Sequence, residues 1–343
     1  MIRIAIAGCG GIALARHIPA LKKIDDVEIA AYFDMSEERA RDCAQRFGGQ
    51  FYTDYGKLLQ DRNIDAIVIC TPARSHCELS IKALKAGKHV LCEKPMAVHV
   101  EDAEKMVEAA RETGKKLMVS HNQRRYLPHI KAKELLDKGE IGKLITYRTF
   151  LGIKGPEYSS VLGINNYYFD RNLSGFGVMS DVGAHRIDLM RYITGAEYRR
   201  VFCHAPTLAK CKADGSPVEV DDNAFIITEM ENGVVGTIIT SWTSMSGNDR
   251  MSMFFGSAGV MTLYGPNHPL VIEKFDGTVI NYDFPYIPPQ SETELTDIDN
   301  LFIECIKNDT EPFVTGYDGL AVARVLDAMK RSNLSGSWEL VGK

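Results

Sequence analysis

Two stretches of this chain combine residue types and spacings that can do chemistry. The first is Glu93-Lys94-Pro95, which follows the apolar run Val90-Leu91-Cys92. That run is too short for a helix and reads as a buried strand. Ligands of an open parallel sheet bind beyond the carboxyl ends of its strands. An ammonium at such an end reaches a substrate hydroxyl, and Pro95 fixes the turn while removing a backbone donor. A lysine merely salt-bridged at a strand end fits the tripeptide as well. The second stretch is Ser180 to Met190, which reads as a helix. Asp181 and His185 are spaced i, i+4 and share one face, with Asp188 close to it. A polar trio beside Gly183 suits a site wall. Two plainer readings compete: Asp181 as a helix cap, and His185 as a satisfied half-buried histidine. A metal site needs at least a third clustered ligand, and no further histidine spacing supplies one, so no metal is expected.

A third stretch says what such groups would work with. Strand Ile2–Ala7 runs into Gly8-Cys9-Gly10-Gly11-Ile12-Ala13, a G-x-G-x-x-A loop that opens a helix to about Ile24. The first glycine makes the tight turn, the second lets the backbone approach a pyrophosphate, and the small last residue lets helix and strand pack closely. The helix N-terminus favours the phosphate charge. The next strand, Val27–Phe33, ends in Asp34, near the spacing of about 20 residues expected for the acid that binds the adenosine ribose. A carboxylate there repels a 2′-phosphate, so NAD is expected over NADP, while Ser36 and Arg39 just after it leave dual use open. The competing role for Asp34 is the N-cap of the helix Ser36–Phe47, for which Ser36 is the rival. With a dinucleotide in place, Lys94 reaches either the substrate hydroxyl or the nicotinamide.

The elements that must position these groups alternate through the first 121 residues. Strands are expected at Ile2–Ala7, Val27–Phe33, Gln50–Tyr52, Asp65–Cys70, Val90–Cys92 and Leu117–Ser120, with helices between them. Six strands joined by helices make a doubly wound parallel sheet. Gly8 to Ala13, Asp34, Thr71-Pro72, Glu93-Lys94-Pro95 and His121-Asn122 then all fall at one carboxyl edge. From residue 122 the pattern changes. A helix is expected at Pro128–Lys138 and another at about Ser180–Thr194. Eight strand-like runs, from Lys143–Phe150 to Thr278–Tyr282, are mostly separated by turns rather than helices, which implies a mostly antiparallel sheet. Helices at about Glu292–Lys307 and Tyr317–Ser332 close the chain, and Tyr286–Pro289 reads as a loop. The expected fold is therefore an α/β Rossmann domain over residues 1–121, followed over 122–343 by an α+β domain with a large, mostly antiparallel open sheet. The Ser180–Thr194 helix covers one sheet face, and a partner subunit is the simplest cover for the other.

Bulk properties exclude several classes. The chain has 343 residues, a net charge of −5 and no basic run or basic–aromatic stripe, which argues against nucleic acid. No apolar stretch approaches the roughly 18 residues that span a membrane. Ile2–Ala7 meets a glycine loop with no cleavage pattern, so no signal peptide is expected. Eight scattered cysteines include no C-x-x-C pair. They read as small buried hydrophobes in a reducing cytoplasm.

Taken together, Gly8 to Ala13, Thr71-Pro72 with His76, Glu93-Lys94-Pro95, His121-Asn122 with Arg124, and Asp181 to Asp188 resemble the Gfo/Idh/MocA oxidoreductases. The ending from Thr315-Gly316-Tyr317-Asp318-Gly319 to Ser332 is similar too. The resemblance implies NAD(P)-dependent oxidation or reduction of sugars, cyclitols or glycosides, in a homodimer or homotetramer. It implies that Lys94, Asp181 and His185 act as a catalytic trio. It also implies that Gly8, Gly10, Gly11, Ile12, Asp34, Thr71, Pro72, His76, Glu93, Lys94 and Asn122 line the cofactor. Asn122 and Arg124, where the domains meet, are expected to contact sugar hydroxyls together with the trio. Asn165-Asn166-Tyr167-Tyr168-Phe169 offers aromatic and amide contacts to a sugar ring, or serves structure. The family also includes glycoside-cleaving enzymes and a repressor that only binds nucleotide. Retention of all three trio residues argues against the regulator.

Overall fold

The computed structural model describes residues 1–158, 163–245, 249–285 and 297–342. It divides into two compact units: Met1–Asn122 with Glu292–Ala323, and Gln123–Ser291 with Arg324–Lys343.

The first unit carries strands β1 (Ile2–Ala7), β2 (Val27–Phe33), β3 (Gln50–Tyr52), β4 (Ala66–Ile69), β5 (His89–Cys92) and β6 (Leu117–Val119). They form a parallel sheet in the order β3-β2-β1-β4-β5-β6, the doubly wound arrangement expected. Both faces are covered, so the central strands are apolar along their length: β4 is Ala-Ile-Val-Ile with no exposed residue. Helices α1 (Ile18–Leu21), α2 (Glu37–Phe47), α3 (Tyr55–Gln60), α4 (His76–Lys85) and α5 (Val100–Thr113) connect the strands. The first connection departs from expectation. In place of one helix to Ile24, a π-helical turn at Ala13–His17 precedes a four-residue α1 with Pro19 in its first turn. Pro19 has no N–H for an ordinary α-helical bond, so the ladder is interrupted there. Arg16 and His17, in that turn, are both buried.

The carboxyl-terminal segment of this unit was not visible in the pattern of alternation. Helix α9 (Ile298–Lys307) buries Ile298, Phe302 and Ile303 in the same core as β4 and β5. The backbone N–H of Val119 donates to the carbonyl of Val314 at 3.1 Å. The sequence boundary assigns these residues to the second domain; the apolar face of α9 places them with the first. The stretch 292–296 of the expected helix and the expected loop at 286–289 lie outside the described residues.

The second unit contains α6 (Leu127–Asp137), the short α7 (Arg171–Ser174) and α8 (Val178–Thr194). Its strands are β7 (Leu144–Gly152), β8 (Tyr198–His204), β9 (Asn223–Met230), β10 (Val235–Ser241), β11 (Ser252–Gly256), β12 (Gly259–Leu263), β13 (Leu270–Lys274), β14 (Val279–Tyr282) and the two-residue β15 (Glu339–Leu340). The sheet order is β14-β13-β12-β11-β7-β10-β9-β8-β15, antiparallel throughout except for the β7–β10 pair. Helix α10 (Gly316–Ser335) runs from residues of the first unit into those of the second. In β9 the alternation is plain: Ala224, Ile226, Thr228 and Met230 are buried, while Phe225 and Ile227 stay 41% and 39% exposed. Val235 on β10 is 42% exposed on the same side. On that side Phe225, Ile227 and Val235 are exposed apolar side chains among the described residues.

Candidate active site

In the first unit the expected cofactor residues gather at the carboxyl edge of the parallel sheet. Gly8 has φ +97°, and a Cβ there would lie 2.7 Å from the Cys70 carbonyl carbon and 2.8 Å from the Thr71 nitrogen. Only glycine lets β1 turn this close to the end of β4. At Gly10 and Gly11 a Cβ would meet nothing within 4 Å. Ile12 sits at the cap of the helical turn that follows. Bare backbone facing open space at a helix start fits a diphosphate.

Asp34 lies beside this loop. Its Oδ2 accepts from the backbone N–H of Cys9 at 3.0 Å, and its Oδ1 accepts from the N–H of Ser36 at 2.8 Å. Arg39 donates to both oxygens, at 2.7 and 3.2 Å. Burial alone would raise the carboxyl pKa. The Arg39 guanidinium and the two backbone donors outweigh it and hold Asp34 below its ordinary value. The capping question resolves in favour of Ser36, whose Oγ accepts from the Arg39 N–H at the start of α2. Asp34 is left facing the glycine loop.

The ring of His76 joins two turns of the edge. Its Nε2 lies 2.7 Å from the Thr71 carbonyl and its Nδ1 3.0 Å from the Pro95 carbonyl. Burial pushes this imidazole below its ordinary pKa. The ring therefore lies between the Thr71-Pro72 and Lys94-Pro95 turns, and as a neutral imidazole it donates to one of the two carbonyls. Lys94 itself is half-buried, and Asn122 is buried in a 3₁₀ turn just after β6.

Glu93 occupies a different environment from its neighbour. It is buried, its Oε2 accepts from the Lys94 backbone N–H at 3.0 Å, and its Oε1 lies 3.0 Å from His17 Nε2 and 3.6 Å from Arg16 Nη1. The other nitrogen of His17 meets Asp299 Oδ1 at 2.7 Å. A ring with a carboxylate at each nitrogen donates twice only as an imidazolium. Burial alone would lower its pKa; the Asp299 carboxylate outweighs this and holds it well above 6.5. Burial alone would raise Glu93; His17 and Arg16 hold it well below the usual carboxylate range. Glu93, expected to line the cofactor, thus anchors the turn that carries Lys94. His17 and Asp299 had no local signal, being 282 residues apart.

In the second unit the site is helix α8. From Val178 to Met190 every residue is buried except Asp181 and His185, which are half-buried. The i, i+4 pair is the one accessible stripe of that stretch. Its cap comes from elsewhere: Asp221 accepts from the backbone N–H groups of Gly177 at 2.9 Å and Met179 at 2.6 Å. A Cβ on Gly177 would meet the Asp221 carbonyl oxygen at 1.8 Å, so only glycine fits. Burial pushes the Asp221 carboxyl up to about 6. Asp181 is released from capping and instead accepts from the Trp242 indole at 3.3 Å. The rings of Tyr168 and Phe169 meet Trp242 edge-on, at 6.3 and 5.6 Å between centroids. The Tyr-rich stretch therefore buttresses Asp181 through Trp242.

Asp188 and Arg124 have another partner than expected. Arg124 Nε and Nη2 donate to the Asp188 carboxylate at 2.6–3.1 Å, with both side chains buried, and the guanidinium lies 5.1 Å from the Tyr192 ring centroid. This pair ties the turn before α6 to α8. Among the described residues no group of three or more His, Cys, Asp or Glu side chains could hold a metal.

Removing the central imidazolium tests the buried triad. His17→Gln leaves two buried carboxylates without their shared cation, and is expected to cost roughly 3 kcal/mol in urea denaturation at pH 7. The raised pKa of His17 makes its contribution complete below about pH 6.5 and lost as pH climbs through the folded value. The depressed pKa of Glu93 makes its contribution complete above about pH 4.5 and lost as pH falls through the folded value. The wild type should therefore lose stability on the alkaline side of this window and the variant should not. Equal alkaline slopes would count against the triad.

Comparison with known proteins matches residues 2–121 to a family described as "Oxidoreductase family, NAD-binding Rossmann fold" and residues 129–262 to the GFO/IDH/MocA C-terminal domain. The chain is 28% identical over 334 residues to myo-inositol 2-dehydrogenase of Thermotoga maritima, covering 96% of each protein. It is 28% identical over 327 residues to the NAD⁺-dependent scyllo-inositol 2-dehydrogenase of Bacillus subtilis, covering 92% of this chain and 90% of the relative. Levoglucosan dehydrogenase in complex with NADH superposes with a TM-score of 0.88 at 23% identity, over 100% of this chain and 99% of the other, a likeness of fold.

Proposed function

The chain belongs to the Gfo/Idh/MocA oxidoreductases, and from that premise we propose an NAD-dependent dehydrogenase that oxidises a secondary hydroxyl of a sugar or cyclitol. The observation that carries the reading is the otherwise buried face of α8, which leaves Asp181 and His185 as its accessible groups. When bound, NAD supplies the hydride acceptor. Gly8, Gly10, Gly11 and Ile12 hold its diphosphate, and Asp34 receives the adenosine ribose hydroxyls, with the exposed Arg39 yielding its place. Lys94 donates to the reacting oxygen and stabilises the charge that develops on it. His185 takes the hydroxyl proton, the general-base role for which an imidazole is suited near neutral pH. Asp181, steadied by Trp242, orients His185 and a substrate hydroxyl. Glu93 and His76 position Lys94, and Asn122 takes a polar contact at the same edge.

The exposed apolar side chains of Phe225, Ile227 and Val235 support a homodimer or homotetramer with that sheet at the interface. All eight cysteines are free thiols, which suits a reducing cytoplasm. No helix among the described residues is long and apolar enough to cross a membrane.

Lys94→Ala and His185→Ala should each lower kcat by about 10²–10⁴-fold, the scale of acid–base catalysis, with NAD affinity much less changed. The pH–rate profile of His185→Ala should lose its lower limb. Near wild-type kcat in His185→Ala would make that histidine structural. Calorimetry should find NAD bound at least tenfold tighter than NADP, about 1.4 kcal/mol, with the preference weakened in Asp34→Ala. Equal wild-type affinities would remove the role given to Asp34. Sedimentation at micromolar concentration should show a dimer or tetramer; a monomer would sink the interface.

A further inference from the structure

Next to His185 on α8 stands a cation of another kind. Arg186 is 0% exposed, and neither its Nε nor its Nη1 has a hydrogen-bond partner. Among the described residues it makes no ion pair. A guanidinium taken from water without a counter-charge costs several kcal/mol, so something about this environment is incomplete in the protein alone. The neighbours sharpen the point. Arg250, half-buried, lies 5.0 Å from the Tyr264 ring centroid and 6.0 Å from that of Tyr126. His129 stacks on Tyr126 and meets Tyr264 edge-on, 5.4 Å from each. The His129 Nδ1 donates to the Gln123 carbonyl at 2.6 Å, which leaves its buried Nε2 as an acceptor without a donor. Burial, then the charge of Arg186, pushes this ring down to about pKa 3, so it stays neutral and adds no charge. Burial pushes Arg186 itself down to about 10, with Arg250 adding to the fall and Tyr264, Tyr126 and the exposed Asp249 opposing it. Two arginines, two phenols and one neutral imidazole therefore share one place in the second unit, with the exposed Asp249 nearby among the described residues.

We propose that Arg186, Arg250, Tyr126 and Tyr264 form a subsite for an oxyanion carried by the substrate, with His129 Nε2 accepting from an adjacent hydroxyl. Two arginines against Asp249 leave one net positive charge, which matches a carboxylate better than a phosphate dianion. Paired donors and an acceptor match a sugar acid. The half-buried Arg250 and Tyr264 form the mouth and Arg186 the floor. Arg186 directly follows His185 on α8, and within this proposal the anion it holds belongs to the molecule that reacts at His185. This assignment rests on the dehydrogenase reading above and narrows its substrate class from neutral polyols to acidic sugars.

The test uses NAD-loaded full-length protein in low-chloride buffer, probed by thermal shift and calorimetry with glucuronate, inorganic phosphate and glucose, and by reduction of NAD. Glucuronate at millimolar concentration should raise the Tm where glucose does not. Arg250→Gln should weaken glucuronate binding at least tenfold. Arg186→Met, which removes an uncompensated buried charge, should keep or raise the Tm without ligand and abolish the glucuronate response. An Arg186→Met that melts lower, together with an unchanged glucuronate response in Arg250→Gln, would make both arginines structural and overturn the proposal. Phosphate binding as tight as glucuronate and lost in both variants would overturn the substrate assignment in favour of a free anion. Oxidation of neutral glucose with no anion response would overturn the subsite and leave the dehydrogenase standing. Glucuronate bound through these arginines but never oxidised would leave the subsite standing and count against the dehydrogenase reading.

Discussion

A histidine with no access to water holds the reactive edge of the first unit together. His17 sits between Asp299 and Glu93, and Glu93 in turn receives the backbone N–H of Lys94. Three charged side chains out of water are tolerable only because each is paired and hydrogen-bonded. The consequence is positional. Glu93 cannot move without uncovering His17, so the turn bearing Lys94 is fixed from behind by charge while His76 fixes it from the side through the Pro95 carbonyl. An ammonium whose work is to stabilise a developing charge needs that kind of preorganisation. The interruption of the first helix belongs to the same device, because the π-helical turn is the segment that carries Arg16 and His17.

The second unit solves a related problem by moving a local job to a distant residue. A helix start needs acceptors for its free N–H groups, and Ser180 or Asp181 would be the nearby candidates. Asp221 does this work from outside the helix, and Gly177 is required because any side chain would strike the Asp221 backbone. Asp181 is then available on the open stripe beside His185, held by an indole that is itself packed among Tyr168 and Phe169.

Two other buried cations among the described residues show what satisfaction looks like here. Arg124 and Asp188 form a buried pair with three contacts. Lys88 donates to the carbonyls of Asp61 and Ile64 at 2.8 and 2.6 Å. Arg186 departs from this rule one residue after the histidine given the proton-transfer role. Among the described residues Arg186 is the fully buried guanidinium with two unpartnered nitrogens and no ion pair, which is why it carries the ligand proposal.

The sequence by itself determined the elements and much of the edge. Periodicity reports which face of a segment is buried, and that is a local property; β1, β2 and β3 appear where the apolar runs put them. The parallel order followed from strands separated by helices, and the glycine loop, Asp34, Lys94 and the Asp181–His185 pair followed from residue type and spacing. Only the tertiary structure decided the rest, because each remaining feature is an encounter between segments far apart in sequence. The apolar face of α9 could have served either unit, and the core formed by β4 and β5 claimed it. The sequence placed Glu93 at the cofactor edge, and folding added His17 as its partner, with Asp299 on the far nitrogen of that ring. The sequence offered Arg124 to a sugar, and folding brought Asp188 to its guanidinium. Asp181 looked like a cap until Asp221 arrived from the strand side. A polar side chain has several local uses, and which one it takes depends on the partner that folding brings to it.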